Sequence, residues 1–540
     1  MIDISPADEM IVNAILKKHV AKCEVRAFGS RHKWMAKSYS NLDLVIVGAA
    51  KLDKSVIYAL QEAFEESELS FRVDVLDWHA ISDEFRAIIE QGYSVIQEKQ
   101  IDNQLPAGWT VKKLGDVCHI QTGPFGSQLK NEQYIYDGTP VITVEHIKTF
   151  QISEFNYPSV SDCDKNRLSK YILNEGDIIF SRVGSVDLNA VVKKKNVGWL
   201  FSSRMLRARP DKELVEPLFL AYYLRTPSMR EHIKSIAVGA TMPSINTEIL
   251  KNILIKYPSI EKQKEISAIL SSLDDKIELN QQINKKLEEM AQAIFKEWFI
   301  DFNFPDENGN PYRDSGGSMI DSELGQIPAP WSVGCFNDLI SETVGGDWGK
   351  EISQGNYNQE VLCIRGADIK ELKTGNKSNA PKRYILEKNL KNKQLSSNDI
   401  VIEISGGSPT QSTGRTLFIT NELLNQFKIP LICTNFCRRL RFNANHNSLF
   451  CYLYLNYLYD NDIFFNYENG TTGVKNLDTT NLFSKHQIIL PSDNILQLFY
   501  EQIVSVINGI YFYGKQSQKI SNIRDTLLPK LVSGHFSNYK

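Results

Sequence analysis

The sequence predicts an α+β chain of several domains: a small mixed-sheet module, then two copies of a strand-and-loop domain, each followed by one long helix. Three observations lead there. The 540 residues exceed what one hydrophobic core holds, at about 150 residues per domain. A long stretch of sequence recurs at a constant offset, and each copy runs into a segment with heptad spacing.

Composition excludes several classes. With 42% hydrophobic and 23% charged residues, neither disorder nor a fibrous repeat fits. The formal net charge of −3 excludes a uniformly basic chain, although a local basic patch is enough for nucleic-acid contact. The eight cysteines contain no C-x-x-C pair, and Cys433 and Cys437 lack partners at zinc-finger spacing, so reduced thiols are expected. No stretch approaches 18 uninterrupted apolar residues, and the opening MIDISPADEMIVNAILKKHV is an amphipathic helix pattern without signal-peptide regions. A cytoplasmic protein with no membrane partner is expected.

Taken in order, residues 1–98 form the small module. After the first helix come the strand-like CEVRAFGS (23–30), then NLDLVIVG (41–48) and FRVDVLDW (71–78), which alternate as half-buried strands do. The repeat begins at LPAGW (105–109) and again at IPAPW (327–331), with Trp109 and Trp331 222 positions apart. LNEGDIIFSRVGS (173–185) parallels LSSNDIVIEISGG (395–407), and Asp177 and Asp399 keep the same offset of 222. GATMPSIN (239–246) and GTTGVKNL (470–477) are offset by 231, so the second copy is slightly longer. Glycines such as Gly123, Gly126, Gly239 and Gly470 are read as turn residues.

The helix after the first copy carries Ile266, Leu270, Leu273, Ile277, Asn280, Asn284, Leu287, Ala291, Ile294 and Trp298 at alternating steps of four and three. The helix after the second copy carries Phe499, Ile503, Val506, Ile510, Tyr513, Ser517, Ile520, Arg524, Leu527 and Leu531 in the same way. Neither seam is stable in water alone, so the two helices are expected to bury them against each other. Asn280 and Asn284 would penalise slipped registers, and Gly509 and Gly514 are expected to weaken the second helix by about 1 kcal/mol each.

This order of motifs resembles the Type I restriction-modification specificity subunits: P-x-G-W opening the first copy, SSLDDKIELNQQINKKLEEMAQAIFKEWF (271–299), a second opening after SELGQIP (322–328) and KISNIRDTLLPKLVSGH (519–535). The resemblance implies target-recognition domains at 105–260 and 322–492, with antiparallel coiled-coil spacers at 261–303 and 493–535 and pseudo-twofold symmetry. It further implies a non-catalytic subunit that binds double-stranded DNA at a bipartite, gapped sequence. Methylation and cleavage then belong to methyltransferase and restriction partners using S-adenosylmethionine, ATP and Mg, with no cofactor on this chain. The residues agree: no methyltransferase NPPY-type motif, helicase acid pair or nuclease cluster is present, and GGDWGK (345–350) is one residue short of a phosphate loop.

Base reading favours Arg or Lys at guanine and Asn or Gln at adenine. The candidate DNA-binding residues are Gln121, Ser127, Gln128, Lys130, Arg182 and Arg204 in the first copy, and Lys350, Arg365, Arg415, Arg438 and Lys475 in the second.

Residues 1–98 resemble the small nucleotidyltransferase fold, whose motif is Gly-Ser, ten residues, Asp-x-Asp and a later Asp; related modules are antitoxin domains. Gly29, Ser30, Asp43 and Asp74 fall on those positions. In that family three carboxylates hold two metal ions. Asn41 stands in place of the first, so Asp43 and Asp74 are the metal ligands only if the module is active, and a degenerate regulatory module is expected. The rival reading is a nucleotidyltransferase enzyme targeted by the repeats, and Asn41 speaks against it.

Overall fold

The computed structural model describes residues 2–534 apart from 22, 38–39, 49–50, 99–104, 149–150, 154, 240, 409 and 471–474. Residue 1 of the opening helix pattern, residue 240 of the GATMPSIN copy, residues 471–474 of its counterpart and residue 535 of the second spacer thus lie outside the described residues. Contacts divide the chain into two compact units: 1–111 with 256–259, and 112–255 with 260–540.

The first unit is a four-stranded mixed sheet. Strand β1 (Glu24–Phe28) pairs antiparallel with β2 (Leu42–Val47) and, on its other edge, with β4 (Ser94–Gln97), while β2 pairs parallel with β3 (Val73–Asp77). Two helices supply the rest of its core. Pro6–Val20 starts at Ser5, whose hydroxyl accepts the Asp8 amide, and buries Val12, Leu16 and Val20. Lys54–Glu65 starts at Asp53 and buries Leu60 and Phe64.

The second unit holds both repeats as two lobes. In the first lobe the core strands lie in the order Asn189–Val191, Ile178–Ser181, Met205–Pro210, Cys118–Thr122. In the second the order is Thr416–Phe418, Ile400–Glu403, Cys437–Phe442, Ile340–Gly345, the same arrangement strand for strand. Each lobe adds a parallel contact, Thr139–Ile142 with Leu200–Phe201 and Tyr357–Ile364 with Leu431–Cys433.

The repeated aspartates have the same duty in both lobes. Asp177 is 1% exposed, takes both arms of Arg209 at 2.7 Å and accepts the Asn174 amide at 2.8 Å. Asp399 is likewise 1% exposed, takes Arg441 at 2.8 and 2.9 Å and accepts the Ser396 amide at 2.8 Å. The carboxylate ties a turn to a strand far along the chain, which accounts for its recurrence.

The long helices run Ile260–Phe299 and Asp493–Val532, 40 residues each. They are antiparallel: Asp274 meets Arg524 at 2.6 Å, Asn280 donates to Ser517 at 3.2 Å and to Gln516 at 2.9 Å, and Asn284 donates to the Ile510 carbonyl at 3.1 Å. Of the expected seam, Ile266, Leu270, Ile277, Asn280, Ile503 and Ile510 are buried, and Leu273, Asn284, Leu287, Ile294, Val506, Ile520 and Leu527 are half-buried. The second helix also buries Ile507, Tyr511 and Gly514, because the second lobe covers another of its faces. Among the described residues this helix alone is long and apolar enough to cross a membrane, and 39% of that stretch is buried.

The lobes attach at opposite ends of the pair. In the first, Tyr222 and Arg225 reach Asp274 at 2.8 and 3.1 Å. In the second, Phe450 packs on Phe295 and Phe299, with Phe499 closing the cluster. Asp274 and Phe295 lie roughly 30 Å apart along the helix at ~1.5 Å per residue.

Gly514 corrects an expectation. A Cβ there would lie 2.2 Å from the Thr374 carbonyl oxygen and 2.6 Å from Gly375 Cα. The glycine admits the second lobe's backbone onto the helix, so it is a packing residue where helix propensity alone reads a defect.

Candidate nucleic-acid interface

In each lobe one loop leaves the outer core strand after a glycine that nothing larger replaces. At Gly123 a Cβ would lie 2.0 Å from the Ser202 carbonyl oxygen, and at Gly346 it would lie 2.0 Å from that of Thr434. Two residues on, each loop exposes an aromatic side chain, Phe125 at 53% and Trp348 at 40%. Arg182 lies over the Phe125 ring, 5.8 Å from its centroid, and Arg383 over the Trp348 ring at 4.1 Å. Asp347 fixes the second loop by accepting from Asn389 at 2.6 Å and from the Gly349 amide at 3.1 Å.

The structure separates the candidate DNA-binding side chains into two groups. Ser127, Lys130, Arg204 and Lys350 are exposed, and Arg182 and Arg438 are partly exposed, with Arg438 Nε buried and unpartnered. The remaining five are bonded to neighbours within the lobes. Arg365 makes a two-armed pair with Asp368 at 2.9 and 3.0 Å, Arg415 with Glu403 at 2.8 and 2.5 Å, and Lys475 meets Glu468 at 2.7 Å. Gln121 accepts from the buried Arg207, and Gln128 accepts the Tyr171 hydroxyl. These five shape the loops. Phe125, Trp348 and Arg383 were absent from the candidate set, although the spacing G-P-F and G-D-W is common to both copies.

In the first unit the nucleotidyltransferase-like positions do converge. Asp43 and Asp74 are register neighbours on parallel strands. Gly29 turns with φ +76°, and a Cβ there would lie 2.3 Å from Asp43 Oδ2, with Ser30 next in the same short turn of helix. Burial, and then the neighbouring Asp74 charge, raise the Asp43 pKa. Asp74 is already compensated, since Asn41 Nδ2 donates to one oxygen at 2.8 Å and Arg72 Nε meets the other at 3.1 Å. Among the described residues no group of three or more His, Cys, Asp or Glu is placed to hold a metal. Two carboxylates, one of them paired with an arginine, do not fit a two-metal centre.

Comparison with known proteins bears on both units. A family model described as Type I restriction modification DNA specificity domain matches residues 106–289. The MjaIX specificity subunit of Methanocaldococcus jannaschii is 27% identical over 440 residues, 80% of this chain and 94% of that one. The HindI specificity subunit of Haemophilus influenzae is 26% identical over 465 residues, 79% of this chain and 99% of that one. The chain is similar over about four-fifths of its length to Type I restriction-modification specificity subunits, and residues 106–289 match their DNA specificity domain. Compared with those relatives, this chain carries additional sequence, and the N-terminal part has its own match. The probable protein adenylyltransferase MntA of Haemophilus influenzae is 48% identical over 99 residues, 18% of this chain and 87% of that protein. The chain thus joins a nucleotidyltransferase-like module to the two lobes, with Asn41 and Arg72 on Asp74 in that module.

Proposed function

We propose that each lobe reads one half of a bipartite, gapped sequence in double-stranded DNA, and that the antiparallel helix pair sets the gap. The observation that carries this reading is one strand order built twice and attached at opposite ends of one helix pair. The first lobe holds the helix from Gln263 to Glu278 and the second from Asn284 to Phe299, so the two lobes follow each other along one axis, which favours two contacts on one duplex. Residues 105–260 and 322–492 are the recognition domains, 261–303 and 493–535 the spacers, and 1–98 the N-terminal module. Methyltransferase and restriction subunits assemble on this chain in the cytoplasm and supply the catalysis, with S-adenosylmethionine, ATP and Mg bound on them.

Methylation mapping in cells expressing the chain with its methyltransferase partner tests this. The expected result is a two-part motif with a fixed gap, in which exchanging residues 105–260 for those of another specificity subunit changes one half only. Loss of both halves, or a continuous motif, would overturn the division of labour.

The N-terminal module is a regulatory module without nucleotidyl transfer, and the bond from Asn41 to Asp74 favours that reading. Wild-type chain is expected to show no Mn2+ binding at micromolar concentrations by electron paramagnetic resonance, whereas Asn41→Asp combined with Arg72→Gln gains a site. Micromolar binding by the wild type would restore the enzyme reading.

A further inference from the structure

We infer that Phe125 and Trp348 are equivalent DNA-contacting residues, one per lobe, each presenting a ring face for stacking on a base unstacked from its half-site. The inference rests on the proposal that the lobes read duplex DNA, and it names side chains that the base-reading rules for Arg, Lys, Asn and Gln do not select.

The two loops are counterparts by construction. Each leaves the outermost core strand, Cys118–Thr122 or Ile340–Gly345. Each passes a glycine pressed against the end of the parallel strand, at the carbonyls of Phe201 and Ser202 or of Cys433 and Thr434. Each then places its ring two residues later. A large apolar ring left half in water, once in each copy at the same step, is not explained by either lobe's core.

A second feature points to the ligand. Each ring has a guanidinium over it, but the two arrive from different places: Arg182 directly follows the strand Ile178–Ser181, and Arg383 lies within Lys382–Leu386. The same chemistry is therefore assembled by two routes. Arginine on an aromatic ring holds the ring in place; Arg383 is itself anchored by Glu351 at 3.2 Å, and a ring held in this way can take up a base once that base is unstacked from the duplex. Exposed Lys130 and Lys350 follow five and two residues further along the chain, and Lys350 lies over the Tyr357 ring at 5.7 Å; both are cations suited to phosphate contact.

The experiment is selection of bound sequences from a random duplex library by the full chain in complex with its methyltransferase partners. The wild type should return two half-sites. Phe125→Ala should weaken binding by about tenfold and blur one half-site only, and Trp348→Ala the other only, an effect the size of losing one stacked ring. Phe125→Leu should behave like Phe125→Ala, because it keeps bulk without a π face, while Phe125→Trp and Trp348→Phe should retain binding. Thermal midpoints should stay unchanged throughout, since both side chains are exposed. Unchanged half-sites and affinity in both alanine variants would overturn the inference while leaving the two-lobe reading intact. A leucine variant as good as wild type would overturn stacking. A wild type that returns no motif would overturn the two-lobe reading and this inference with it.

Discussion

Replacing Gly514 with alanine is expected to destabilise the second unit by about 3 kcal/mol or more, the upper range for forcing extra volume into a packed site. Helix propensity alone predicts the opposite sign, a gain of about 1 kcal/mol for glycine to alanine in a helix interior. The two effects compete at one atom. The added Cβ would collide with backbone, Thr374 O at 2.2 Å and Gly375 Cα at 2.6 Å, and backbone cannot swing aside as a side-chain tip can. Gly375 itself turns with φ +77°, so the loop has little freedom to retreat. Gly509→Ala is the control on the same helix, since its Cβ would meet only the Leu287 methyl Cδ1 at 3.2 Å. Chemical denaturation followed by tryptophan fluorescence should show a large loss for Gly514→Ala and a small change for Gly509→Ala. Equal effects would mean the helix does not take the lobe's backbone at Gly514.

Arg441→Met is expected to cost about 3–5 kcal/mol, and Arg209→Met a similar amount, because each leaves an aspartate buried without its counter-charge. The sign follows from which partner is deep: Asp399 and Asp177 are 1% exposed, whereas the Arg441 side chain is 38% exposed and Arg209 35%. Removing the aspartate instead should cost less, since the freed guanidinium can turn toward water. Adding Asp399→Asn to Arg441→Met should recover much of the loss, as removing a stranded charge relieves its desolvation. A double-mutant cycle on unfolding free energies measures this, and a coupling energy near zero would rule out the buried pair as the tie between turn and strand.

Much of the architecture was legible in the sequence because it is written as period and offset. Asp177 and Asp399 share their offset with Trp109 and Trp331, and the structure gives each aspartate an arginine on the neighbouring strand and each tryptophan backbone amide a proline carbonyl, Pro106 at 3.0 Å and Pro328 at 2.9 Å. The heptad steps named the residues between the long helices, since that packing depends only on which side of a helix a residue occupies. Asn41 was visible as a missing carboxylate; the amide bond and arginine that close Asp74 were not.

The candidate interface was less legible. An arginine on a loop reads the same whether it meets DNA or a neighbour's carboxylate, and Arg365, Arg415 and Lys475 turned out to face Asp368, Glu403 and Glu468. The sequence by itself determined the number of repeats, the helix after each and the apolar seam, because these follow from local periodicity and chain order. Only the tertiary structure decided the opposite running of the helices, the close approach at Gly514, and which rings and cations remain exposed, because those depend on distances between segments far apart in the chain.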